Sequence, residues 1–148
     1  MTSQLATRGQ TERTLSQRLQ ALYRSQLGHQ PSKITCQLFD EALAVVIEDS
    51  VTQPEKLLAA EGYLERAEQV RSDLDQAIRP HIKSLVEEVL SVNVLDILSD
   101  ATLQTGRTGM IVILDNPPPV RPSAASLRPF KQRLSQRESE EQESEEQS

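Results

Sequence analysis

The sequence predicts an α+β domain: helix, hairpin, long helix, hairpin, with one mainly antiparallel four-stranded sheet and its helices on one face. Three observations lead there. Apolar residues recur at three- and four-residue steps in two stretches, as amphipathic helices require. Two other stretches alternate apolar and polar residues or run continuously apolar, and each is broken by a short turn sequence. Each of these hairpins follows a helix that needs a surface to cover.

The first helix is predicted over about 14–27, where Leu15, Leu19, Leu22 and Leu27 mark one face. Gly28 supplies a stop and Pro31 keeps the helix from resuming. Residues 1–12 are polar, lack the apolar run of a secretory signal, and are expected to form a flexible N-terminus. In the first hairpin Ile34, Cys36 and Leu38 alternate with Thr35 and Gln37, Asp40-Glu41 makes the turn, and Leu43–Ile47 reads as a strand buried on both faces.

Thr52, Pro54 and Glu55 form a helix-start signature, with Glu55 placed to favour the positive end of the helix dipole. The long second helix is predicted over about 61–91 from Leu64, Ala67, Val70, Leu74, Ile78, Ile82, Leu85, Val86 and Val89. Pro80 should bend or split it near Arg79. The second hairpin places Thr105-Gly106-Arg107-Thr108-Gly109 as its loop, with Gly106 and Gly109 at positive φ and Arg107 at the tip. Strand alternation sets Asp96, Leu98 and Asp100 on one face and Leu95, Ile97 and Ser99 on the other.

A chain of 148 residues suits a single domain, 13–115, followed by a tail. Residues 116–148 open with Pro117-Pro118-Pro119 and carry first basic residues, then six glutamates, so they are expected to be disordered. Within the tail, the segment 127–134 offers Arg128, Phe130, Lys131 and Arg133 as candidate partner contacts alongside Arg107.

Composition excludes several function classes. The net charge of −6 argues against nucleic-acid binding, and four aromatic residues leave little for stacking platforms. No window is apolar enough for direct membrane insertion. Cys36 is the sole cysteine and reads as a small buried residue. The TGRTG stretch lacks the lysine and the following helix of a phosphate loop. His29 and His81 have no ligands at metal-binding spacing, and no nucleophile sits beside a base. The expectation is therefore a non-enzyme without cofactor or metal. Its sheet carries more apolar surface than the helices cover, so self-association or a protein partner is expected to close the other face.

The segments QLGHQPSKITCQLFDEALAVVIEDSVTQPEKLLA and VRSDLDQAIRPHIKSLVEEVLSVNVLDILSDATLQTGRTGMIVIL resemble the MpsC-like domain family over about residues 12–115. SDATLQTGRTG is the most recognisable part. No catalytic motif accompanies that family, so the resemblance implies no catalytic residue. The N-terminal wording, TRGQTERTLSQRLQALYRSQLGHQPSKITCQLFDE, is most similar to cyanobacterial members that accompany gas-vesicle genes. That likeness implies a cytoplasmic, vesicle-associated accessory protein in contact with gas-vesicle shell or other accessory proteins. Other members accompany a membrane system for bicarbonate uptake and membrane potential, which implies an accessory subunit there as the alternative.

Overall fold

A computed structural model describes residues 5–121; the expected tail and its candidate contacts Arg128, Phe130, Lys131 and Arg133 lie outside the described residues. Within 5–121 the elements run α1 (Arg8–Leu27), β1 (Lys33–Phe39), β2 (Ala42–Glu48), α2 (Gln53–Ala60), α3 (Leu64–Leu90), β3 (Val94–Thr102) and β4 (Arg107–Leu114). The four strands form one antiparallel sheet in the order β1-β2-β4-β3, so the α+β prediction holds. Residues 5–8 and 120–121 belong to a small unit of their own, in which Thr7 bridges Arg121 and the Arg121 amide donates to the Ala6 carbonyl at 2.8 Å.

Helix α1 begins at Arg8 instead of about 14, so part of the expected flexible N-terminus is helical. Thr11, Leu15, Leu19 and Tyr23 are buried, a stripe with a strict four-residue step. The helix ends where Gly28 adopts φ 66° and its amide donates to the Arg24 carbonyl at 3.0 Å.

The β1–β2 hairpin turns at Asp40-Glu41 as the sequence predicts, with Asp40 at φ 52°. Strand β2 is not buried on both faces. Leu43, Val45 and Ile47 point into the core, whereas Val46 on the other side is 45% exposed. The core is one layer, between the helices and one sheet face: Ile34, Cys36 and Leu38 of β1, Met110, Val112 and Leu114 of β4, and Ile78, Ile82, Leu85 and Val86 of α3 all contribute to it.

The Thr52 signature starts a short helix of its own, and Gly62 at φ 88° separates it from α3. Helix α3 then runs unbroken to Leu90 with Pro80 inside, so the predicted split does not occur. Buried Ile78 and Ile82 anchor the turns on either side of the exposed proline, and that packing outweighs one lost ladder bond.

In the second hairpin the turn is Leu103–Gly106, and Arg107 and Gly109 belong to β4. Gly106 has φ 71°; Gly109 does not have a positive φ, because it is an ordinary strand residue. A register irregularity between Val94 and Asp96 turns Leu95 outward to solvent, against the simple alternation read from sequence.

Two glycine substitutions separate turn from strand. Gly106→Ala is expected to cost roughly 1–2 kcal/mol from the left-handed backbone. Gly109→Ala, with open space around its Cβ position, should stay within about 0.5 kcal/mol of the parent. Denaturant midpoints measure both.

Candidate functional site

The pleat sends alternate residues to the face away from the helices. Pairing aligns these outward residues in rows across β1, β2, β4 and β3. They are Thr35-Val46-Gly109-Asp100, Gln37-Ala44-Ile111-Leu98 and Phe39-Ala42-Ile113-Asp96. Leu98 is 55% exposed and Phe39 44%, and Ile111 and Ile113 are half-buried by their neighbours on the sheet. No element among the described residues covers this face. Gly109 adds a dent, part of a shallow hollow of about 430 Å3 with Ala44, Val46, Leu98 and Ile111 on its walls.

One end of the face is charged. Arg107 lies there at the start of β4, not at a loop tip, and its Nε donates to Glu48 Oε2 on the neighbouring strand at 2.8 Å. The pair is largely exposed, so it contributes little to stability. Gly106 is equally occupied. Its amide donates to the Thr102 carbonyl, and its carbonyl accepts from the Ser50 amide at 2.8 Å and from the Ser50 hydroxyl at 3.1 Å. The glycine loop is thus a structural tie between the β2–α2 connection and the second hairpin, as the turn reading expects.

The sheet edges differ from the face. In edge strand β1 the Leu38 amide donates to Glu12 Oε2 of α1 at 2.7 Å. In edge strand β3 the amides of Ile97 and Ala101 donate to Asp96 and Asp100 at 2.8 and 2.9 Å. Carboxylates therefore occupy backbone donors that an incoming strand would use.

Sequence reading missed the charged network beneath α3. Glu55 is 0% exposed and does more than face a helix dipole. Its carboxylate accepts from Arg71 Nε at 2.6 Å and Nη2 at 2.8 Å, and from the Thr52 amide at 2.6 Å. Arg71, 4% exposed, also reaches Asp75 Oδ1 at 3.5 Å. Burial pushes the Asp75 carboxyl up, the Arg71 charge pulls it back and the Glu55 charge adds to the rise. Burial likewise pushes the Tyr23 phenol up, with Asp75 adding to it, and the Tyr23 hydroxyl has no hydrogen-bond partner among the described residues. One signal was present: Arg71 falls in phase with Ala67, Ile78 and Ile82, a lone charge on an apolar stripe. Above the network a groove of about 490 Å3 opens between α3 and β3. Across it Arg79 Nη2 donates to Ser99 Oγ at 3.0 Å.

Among the described residues no group of three or more His, Cys, Asp or Glu is arranged to hold a metal ion. His29 Nε2 lies 2.7 Å from the Asp49 carbonyl, which only accepts, so that nitrogen carries a proton. Burial pushes the Cys36 thiol up, away from the reactive thiolate.

Glu55→Ala should cost about 3–5 kcal/mol by stranding Arg71, whereas Glu55→Leu combined with Arg71→Leu recovers most of it; urea unfolding reads both. For Asp75, a raised folded pKa means its stabilising contribution is present in acid and is lost as pH rises through that value. The stability of Asp75→Asn relative to the parent should therefore increase between about pH 3 and about pH 7. A flat difference across that range would contradict the burial effect.

A family model described as the Na+-translocating membrane potential-generating system (MpsC) matches residues 7–116. No curated protein and no solved structure matches the chain. The match spans α1 through β4 and includes the open face, the carboxylate-occupied edge amides and the buried Glu55–Arg71 pair. The chain belongs to the MpsC family.

Proposed function

We propose that this chain is a non-enzymatic accessory protein that works by docking the open face of its sheet onto other polypeptides, its own copies among them. The observation that carries this reading is the uncovered apolar surface of Val46, Ile111, Ile113, Leu98 and Phe39. The occupied edge amides of Leu38, Ile97 and Ala101 support it, because they bias association toward the face. The charged rim formed by Arg107, Glu48, Asp96 and Asp100 would set orientation more than affinity.

The finer reading is a cytoplasmic role in gas-vesicle assembly, in contact with shell or other accessory proteins. It is supported by the likeness of the segment 7–41 to cyanobacterial members of that setting. A second reading follows from the family's own description: a subunit of a sodium-translocating, membrane-potential-generating system. No described helix is long and apolar enough to cross a membrane, so in that setting the chain would be held by an integral partner.

Light scattering on the full chain at tens of micromolar should give a mass above the monomer. Ile111→Lys and Leu98→Glu should reduce it to the monomer while circular dichroism shows the fold retained. A parent chain that is already monomeric would sink the self-association. Gene deletion separates the two settings: fewer or misshapen vesicles with normal growth at low inorganic carbon favour the first. Impaired growth with normal vesicles favours the second.

A further inference from the structure

We infer that a second copy of this chain covers the open face of the sheet, related to the first by a two-fold axis that runs along the strands between β2 and β4. The inference rests on the docking reading above and names its occupant. β2 and β4 are the two central strands. Such an axis lays each copy's β2 over the other's β4, row on row, and stacks the two sheets with their strands aligned.

The outward residues of these two strands are complementary across that axis. Where β4 carries Gly109, β2 carries Val46. Nothing lies within 4 Å of a Cβ placed on Gly109, and Val46 is 45% exposed. The axis seats the Val46 of each copy in the hollow of about 430 Å3 over the other's Gly109. In the next two rows the sizes are inverted: Ile111 neighbours Ala44 and Ile113 neighbours Ala42. Each isoleucine therefore comes to lie over an alanine. At the end of the sheet Arg107 and Glu48 are joined at 2.8 Å, and the axis sets each against the opposite charge of the other copy. A two-fold interface has to be its own complement, and a glycine inside a strand marks a place of close approach. A two-fold across the strands would instead set the row of Glu48 and Arg107 on the apolar row of Ala42 and Ile113. The extent of the face also suffices. Four strands and four outward rows span about 19 Å by about 27 Å at ordinary sheet spacing. Both copies together then bury about 1,000 Å2, the lower range of specific interfaces.

The test is sedimentation equilibrium on the full chain, with circular dichroism to show that each variant is folded. The parent should dimerise with a Kd of about 50 μM or tighter. Gly109→Val fills the hollow and sets valine on valine, and should weaken the dimer about tenfold; strand geometry and open space favour its folding. Val46→Gly leaves the hollow empty and should weaken it to a similar degree. Combining the two exchanges knob and hollow between the same neighbours, and should return the Kd to within about threefold of the parent. That recovery requires position 46 of one copy to lie on position 109 of the other. The pairing is overturned if folded Gly109→Val dimerises like the parent, or if the double variant stays as weak as the single ones. Where Leu98→Glu still dissociates such a dimer, the docking face stands and only this pairing is lost. A monomeric parent overturns the pairing as well, and leaves the face to a different polypeptide.

Discussion

The buried pair of Glu55 and Arg71 is the constraint on which the helical layer depends. One carboxylate closes the N-terminus of α2 by accepting the Thr52 amide and clamps α3 through a two-point guanidinium contact. It thereby fixes where the chain reverses between the two helices. Such a pair adds little net stability over apolar residues of the same volume, because both charges lose their water. Its effect is positional: an unpaired charge there is so costly that alternative packings of α2 on α3 are disfavoured.

The fold was legible wherever burial is one-sided and periodic. The alternation of β1 and the β1–β2 turn follow from residue spacing, and the structure reproduces them; in α1 Leu15 and Leu19 are buried as read, but Thr11 and Tyr23 complete the stripe in place of Leu22 and Leu27, which are half-buried. Spacing misled where tertiary packing overrides a local rule. Pro80 does not end its helix because Ile78 and Ile82 hold both sides. Gly109 looks like a turn residue but sits in a strand, and Leu95 leaves the alternation at an irregularity that no residue type announces. The Glu55–Arg71 contact joins residues on separate helices, so neither local periodicity nor a short motif encodes it. Arg71 could only have been noticed as a charge out of place.

The sheet treats its two kinds of boundary differently. Along the edges, Glu12, Asp96 and Asp100 fill amide positions that an added strand would need. Across the outer face, apolar side chains from all four strands remain in contact with solvent. Edge pairing is generic to any extended chain, whereas a patterned face with charged borders admits only a surface of matching shape. The polar restraint lies where association would be indiscriminate, and the apolar area lies where it can be selective.

The strand order β1-β2-β4-β3 has a consequence for how this chain reaches its native state. Val46 and Gly109 are neighbours at the middle of the sheet yet about sixty residues apart in the chain, with both later helices between them. Neither hairpin has a complete hydrophobic layer until the other arrives, and the bonds from Ser50 to Gly106 form only at that moment. Assembly is therefore expected to be slow for a domain of this size and all-or-none. During the search the inner strand β2 stays unpaired on one side, which leaves a newly made chain briefly sticky before its final surface exists.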